Sequence, residues 1–513
     1  MGDAETALDD SGGQIPLLLP DDAHNRRLTE HVRPSTWTNP VPNGRYNLVV
    51  IGGGTAGLIC AIGAAGMGGK VALIERHMLG GDCLNFGCVP SKSIIRAARA
   101  VAEVRRAGQF GVHTSPPKID FSAIMERMRR QRAEISHHDS AQRFRDLGVD
   151  VYLGEARFFS EREVDVDGVR LRFAKAAIAT GARARAPEVP GLADAGYLTN
   201  ETVFALTELP RRLAVVGAGP IGAELAQAFA RFGSEVTLIG RSKTILPKED
   251  SRASDVLASC FQEEGIRVLT GAELKRVSAV DGAKHLSVEV EGVSQSIQAD
   301  EILLSVGRVP NTENMGLEAA GVAFDTRGVT VNDRMQTSNK HIYAAGDVCS
   351  GYKFTHAADA MARIVIQNAL FLGRKKASSL VIPWATYTSP EIAHVGISQN
   401  EAEKQGALTL TVQFDAMDRA RLDGDIEGFA SVHVDAKTGR ILGATAVAGH
   451  AGDLISEMSL AMTADVSLGT IAKTIHPYPT QSEVWKRLAD AWNRTRLTPR
   501  VQSLSKRWLA WRR

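Results

Sequence analysis

The chain has 513 residues, a formal net charge of +2, 44% hydrophobic residues and 23% charged residues. That length and balance suit a globular protein of roughly three domains at about 150 residues each. They exclude a strongly basic nucleic-acid binder, and no stretch approaches the roughly 18 apolar residues of a membrane span.

The chain opens with Asp3, Glu5, Asp9 and Asp10, whereas a secretory signal needs a basic start and an apolar core. Cytoplasmic residence is therefore expected. Residues 1–44 are rich in Pro, Asp and Asn and show no sustained period, which reads as an N-terminal extension. It holds no cysteine, so it is not a thiol-based metal carrier.

A strand is expected at Tyr46–Ile51 and another at Val71–Glu75, separated by Gly52-x-Gly54-x-x-Gly57. Glycines between a strand and a helix let the backbone turn and approach a pyrophosphate at the helix N-terminus. Glu75, closing the second strand, can accept hydrogen bonds from a ribose diol.

Next comes Gly80-Gly81-Asp82-Cys83-Leu84-Asn85-Phe86-Gly87-Cys88-Val89-Pro90-Ser91-Lys92. Only five cysteines occur in the chain, and two fall here. In a reducing compartment such a pair reads as redox-active rather than as a structural staple. With no second pair or nearby His, a zinc site is not expected. Cys60, Cys260 and Cys349 are read as buried structural thiols.

Ala179-Thr180-Gly181 ends a later strand. The strand–glycine–helix–strand pattern then recurs as Arg212–Val216, Gly217-x-Gly219-x-x-Gly222 and Glu235–Ile239. Two such units argue for two dinucleotide sites. In the second unit the position equivalent to Glu75 is Gly240, followed by Arg241 and Lys243. Losing the carboxylate and gaining cations favours a 2′-phosphate, hence NADPH, with NADH as the other donor.

After about residue 376 the pattern becomes mixed. A strand at Gly428–Val434 and a helical stretch over Gly452–Asp465 suggest an α+β unit. Near the end, Val501, Leu504, Trp508 and Trp511 recur on one helical face among cations. Such a basic amphipathic tail suits peripheral membrane contact, with a helix docked on its own dimer or a frayed tail as the alternatives.

Together these motifs resemble the flavin-dependent pyridine nucleotide–disulfide oxidoreductases, which include dihydrolipoamide dehydrogenase, glutathione reductase and mercuric reductase. The resemblance spans about residues 45–495. It implies an α/β fold: two Rossmann-like dinucleotide-binding domains plus an α+β C-terminal dimerisation domain. The implied divisions are a 1–44 extension, an FAD-binding domain at 45–190 and 305–375, and an NAD(P)H-binding domain at 191–304. A dimerisation domain at 376–495 and a tail at 496–513 follow. Ser305–Asn311, with Arg308, resembles the motif returning from the nicotinamide domain. Ala344–Asp347, with Gly346 and Asp347, resembles the second FAD motif.

The same resemblance implies a Cys83–Cys88 disulfide, with Cys88 the flavin-side charge-transfer thiolate and Cys83 the interchange thiol. Lys92 becomes the cation near the flavin and Glu224 its partner. A homodimer is implied, in which His476–Glu483 completes the partner's site. Most disulfide-reducing members carry a His five residues before a Glu there. Here that residue is Tyr478, before Glu483, with His476 slightly upstream. Tyrosine at this place looks like mercuric reductase, although no cysteine pair follows Cys349 as it would there. The expectation is an FAD-dependent NAD(P)H reductase of a soft metal ion such as Hg(II), or of a thiol-bound species. The alternatives are a dihydrolipoamide dehydrogenase-like enzyme and an electron donor to a quinone or membrane partner.

Overall fold

A computed structural model describes residues 18–513. The first part of the N-terminal extension therefore lies outside the described residues.

The apolar run Leu48-Val49-Val50-Ile51 is fully buried, as a parallel strand covered on both faces must be. It sits within a seven-stranded sheet. Arg45–Ile51 pairs in parallel with Val71–Glu75 on one side and Val169–Ile178 on the other. Val149–Leu153 extends the sheet beyond Val71–Glu75, and Ile342–Ala344 pairs in parallel with Val169–Ile178. The strand at 342–344 returns to this sheet after the chain has built a second unit. That crossover brings the segment at 345–347 back beside the first glycine turn.

The second unit has four parallel strands in the order Arg267–Leu269, Glu235–Ile239, Arg212–Val216, Glu301–Leu304. A three-stranded antiparallel meander spans Ala272–Val280, Ala283–Val290 and Val293–Ala299. The third unit is a five-stranded antiparallel sheet with Ile441–Ala448 at its centre. Its strand Phe429–Val434 is buried at every position rather than on alternate ones. The Ala451–Thr463 and Glu483–Thr495 helices pack with it into one core, around Met458, Trp485 and Trp492.

The extension holds structure that its sequence did not announce. Asp22 caps a helix at Ala23–Val32, accepting from Asn25 N at 2.8 Å. Leu28 and Val32, one turn apart, are fully buried in the first core. Arg132 ties this helix to the cysteine segment: Nη2 donates to Asn25 Oδ1 and Nη1 to Asn85 O, both at 2.6 Å. A ten-residue helix with two apolar anchors is too short to raise a periodic signal.

Of the three cysteines read as buried, only Cys60 is. Cys260 and Cys349 are half-buried. Cys260 lies near the end of the Ser251–Glu263 helix, off the face that Leu257 and Phe261 bury.

Candidate active site: a thiol pair between two dinucleotide cradles

One cavity of about 2450 Å³ runs from the first glycine turn, past the cysteine pair, to the second glycine turn. Each turn is built by the same sterics. Gly52 and Gly217 adopt φ of +104° and +114°, where a side chain would strain the backbone. A Cβ on Gly57 would lie 1.8 Å from Gly52 O, and one on Gly222 would lie 1.9 Å from Gly217 O. These third glycines let each helix approach its strand. The middle glycines, Gly54 and Gly219, cap the Thr55–Gly66 and Pro220–Phe232 helices. A Cβ on Gly54 would meet nothing closer than 3.7 Å, and one on Gly219 nothing within 4 Å. Both helix N-termini therefore face open cavity with free N–H groups, the arrangement that accepts a pyrophosphate. The residues present fit two dinucleotides.

In the first cradle Glu75 is buried. Its Oε2 accepts from Gly53 N at 2.6 Å and its Oε1 from His77 N at 2.7 Å. Burial pushes its carboxyl above the usual range, and the two backbone donors oppose that rise. Arg33, just past the N-terminal helix, donates to Arg76 O at 2.9 Å and His77 O at 2.8 Å beside it. Arg33 lines the cavity and was missed in the sequence because no motif surrounds it. Thr180 Oγ1 donates to Asn311 O at 2.7 Å, while Asn311 Nδ2 donates to Thr180 O at 2.8 Å. This reciprocal pair joins the 180–181 turn to the 308–311 segment. Arg308 Nη1 lies 3.1 Å from Asp82 Oδ2, and Nε lies 3.5 Å from Asp347 Oδ2. Thr180, Gly181, Arg308, Gly346 and Asp347 all line the cavity.

In the second cradle a Cβ on Gly240 would press on Ala218 Cβ at 2.8 Å, so the position has no room for an acid. Arg241 lines the cavity together with Ser242 and Thr244. Lys243 does not: it is exposed and outside the lining, so one of the two cations expected at the ribose is displaced from it. Gly222→Ala is expected to force the helix away from Gly217. An overpacking cost of about 1–3 kcal/mol, if borne by the bound state, corresponds to roughly 5- to 150-fold weaker nicotinamide-nucleotide binding. Flavin content should be unchanged, as checked by absorbance and NADPH titration. An unaltered NADPH affinity would contradict the geometry.

Between the cradles, Cys83 lies in the short Gly81–Asn85 helix and Cys88 is the first residue of the 19-residue Cys88–Arg106 helix. Both thiols are free, with Cys88 exposed to the cavity. Cys88 Sγ is 3.3 Å from Thr355 Oγ1, the first residue of the Thr355–Leu370 helix. Two helix N-termini thus converge on Cys88, each favouring negative charge. One turn on, Lys92 Nζ contacts Glu224 Oε2 at 2.7 Å and sits 4.6 Å above the Tyr387 ring. Glu224 Oε1 accepts from Tyr387 N at 2.8 Å. Thr355 and Tyr387 were not singled out in the sequence; a lone Thr before an alanine-rich helix and a lone Tyr give no motif.

These neighbours divide the two thiols. A hydrogen bond from Cys83, then Thr355 and the Lys92 charge, hold the Cys88 thiol below its ordinary range against the opposing effect of burial. The same hydrogen bond, then burial and the Cys88 charge, drive Cys83 far upward. In the reduced pair these surroundings favour the anion at Cys88 and the neutral thiol at Cys83.

Within one chain the structure does not bring His476, Tyr478 or Glu483 to this cavity. His476 is half-buried on its own unit, its side chain 6% exposed, with Nε2 3.0 Å from Glu457 Oε1 and Nδ1 3.3 Å from Thr474 O. Glu483 starts the Glu483–Thr495 helix and contacts Arg487 Nε at 3.3 Å. Tyr478 is 70% exposed and donates to Asp418 Oδ2 at 2.9 Å.

Residues 46–362 match the family model of the pyridine nucleotide-disulphide oxidoreductases, and residues 382–489 match that family's dimerisation domain. The chain is 35% identical to a mercuric reductase from Bacillus cereus over 483 residues, 94% of this chain and 76% of that protein. It is 33% identical to a dihydrolipoyl dehydrogenase from Bacillus subtilis (strain 168), covering 85% of this chain and 96% of that one. Among solved structures, it is similar to a Cu(II) complex of the HOCl-induced flavoprotein disulfide reductase RclA from Escherichia coli. The TM-score there is 0.78 at 28% identity, covering 88% of this chain and 100% of that one. With its two glycine cradles flanking a cysteine pair, the chain belongs to the pyridine nucleotide-disulphide oxidoreductases and is a flavin-dependent oxidoreductase that uses a pyridine nucleotide.

Proposed function

We propose that the protein is an NADPH-dependent reductase of soft metal ions such as Hg(II), or of their thiol-bound forms, working as a homodimer. The first cradle, with Gly52, Gly54, Glu75, Arg308 and Asp347, would hold FAD. The second, with Gly217, Gly219 and Arg241, would hold NADPH. Bound FAD supplies the two-electron link between a nicotinamide and the cysteine pair.

The chain's own groups then do the following. Lys92, held by Glu224 and Tyr387, keeps a positive charge near Cys88. Thr355 and the helix N-terminus stabilise the Cys88 thiolate. Cys83, the neutral partner, presents the sulfur that meets the acceptor. A soft dication held between the two sulfurs takes both as thiolates, Cys83 releasing its proton as the metal binds. The balance is one NADPH and one Hg(II) to NADP⁺, H⁺ and Hg(0).

The observation that carries this reading is Tyr478. The residue stands exposed on the unit that matches the dimerisation domain, where it is available to a partner's site. Its hydrogen bond to Asp418, and that carboxylate's charge, raise the phenol above its ordinary range. It therefore stays protonated near neutral pH and cannot serve as base for a thiol. A bound metal ion needs electrons and ligands there, not a proton relay. A dihydrolipoamide dehydrogenase-like reading is favoured by the His476–Glu457 pair, the only imidazole–carboxylate contact in that segment among the described residues. Both ring nitrogens of His476 are already engaged, so the metal reading stands first.

The test is NADPH oxidation by the purified FAD-loaded protein with Hg(II) in excess thiol, and separately with lipoamide. Turnover with Hg(II) and little with lipoamide is expected, with NADPH preferred over NADH. Efficient lipoamide turnover with NADH would replace the reading by the dehydrogenase one.

A further inference from the structure

The oxidoreductase reading leaves the last stretch of the chain without a task. The Glu483–Thr495 helix is anchored by Trp485, Leu488 and Trp492, all at 2% exposure or less. From Arg494 onward every residue is exposed. Yet residues Pro499–Trp511 form a complete helix, with Thr498 capping its N-terminus and Pro499 in its first turn. None of its 13 residues is buried. A helix this short is marginal in water without a surface to pack on. Its own subunit does not provide that surface.

The helix says what kind of surface it fits. Val501, Leu504, Trp508 and Trp511 fall within about 80° of arc at about 100° per residue. Their exposures are 40%, 65%, 55% and 76%. The Trp508 and Trp511 rings lie 5.2 Å apart, and Arg512 sits 6.0 Å from the Trp508 ring. Arg500, Arg507 and Arg512 flank this face, Lys506 lies opposite it, Arg496 and Arg513 stand just beyond the helix ends, and no acid follows Asp490. The whole chain is only +2, so the remainder is net acidic and the positive charge is gathered in this tail.

We propose that the Pro499–Trp511 helix docks the protein on an anionic lipid surface, lying flat in the interface. Tryptophan favours the headgroup boundary, and arginine and lysine pair with anionic headgroups. At about 20 Å the helix is too short to span a bilayer, so it lies along one face. A second copy of the tail is the wrong partner, because like charges would face each other. Reduction at the cysteine pair would then take place at a membrane surface.

The test uses the full-length FAD-loaded protein and sedimented vesicles of phosphatidylcholine alone or with about a third phosphatidylglycerol. Binding to the anionic vesicles at low salt should exceed binding to neutral ones about tenfold, and fall in about 0.5 M salt as screening shortens. Trp508→Ala with Trp511→Ala should weaken vesicle binding about tenfold while leaving NADPH-dependent turnover in solution unchanged. These side chains are exposed, so the variant keeps its fold. The proposal is overturned by absence of binding to anionic vesicles, by equal binding to both compositions, or by unaltered binding of the double variant. Self-association that the tryptophan changes abolish, without lipid binding, would assign the face to a second copy instead.

Discussion

Cys88→Ala is expected to lower NADPH-driven reduction of an acceptor by about 10³-fold or more, the scale seen when an enzyme loses a covalent participant. Cys83→Ala should do the same to acceptor turnover, but the two variants part in their spectra. Cys88 is the thiol whose surroundings favour the anion, so a long-wavelength absorbance from thiolate beside flavin should survive in Cys83→Ala and vanish in Cys88→Ala. The pH dependence has a sign. A thiol held below its ordinary range stays ionised above that lowered value and loses the thiolate as pH falls through it. The largest cause of the lowering is the hydrogen bond from Cys83. Removing Cys83 should therefore move the midpoint of the absorbance to higher pH than in the reduced wild type. An unshifted midpoint, or absorbance that persists in Cys88→Ala, would reverse the roles given to the two sulfurs.

The parts of this site that could be read in the sequence are those where sterics demand one residue type. Gly52, Gly57, Gly217 and Gly222 each occupy a position that a Cβ would block, so the turns announced themselves. The buried parallel strands did the same through unbroken runs such as Leu48–Ile51. What stayed hidden was set by tertiary contact. Arg33 reaches the Glu75 end of the cavity from a short helix held by Leu28, Val32 and an Arg132–Asn25 bond. Thr355 meets Cys88 across 267 positions of chain, and Tyr387 meets Lys92 from another unit. None of these three sits in a local pattern that chemistry would recognise. Lys243 shows the converse: its place in the sequence suggested a phosphate contact, but of the two cations after Gly240 only Arg241 lines the cavity.

The Lys92–Glu224 pair should show its function and its structural cost in opposite directions. Glu224 is 6% exposed, so Lys92→Met leaves a buried carboxylate without its cation. Losing one partner of a buried pair costs roughly 3–5 kcal/mol, and the 37% exposure of Lys92 reduces this to about 2 kcal/mol. Glu224→Gln should cost less, since the lysine left behind reaches solvent and the amide oxygen still accepts from Tyr387 N. The double variant should recover most of the loss in Lys92→Met, as chemical unfolding would measure. The thiolate responds otherwise. Lys92→Met removes a charge that lowers the Cys88 thiol, so the absorbance midpoint should rise in the single and the double variant alike. Glu224→Gln leaves that charge in place and less neutralised, so the midpoint should hold or fall. A double variant that regains stability without regaining the low midpoint separates the two roles of Lys92. It is then a partner that makes Glu224 tolerable inside the protein and a charge that keeps Cys88 ionised. If stability and midpoint recover together, Lys92 acts on Cys88 only by holding the fold.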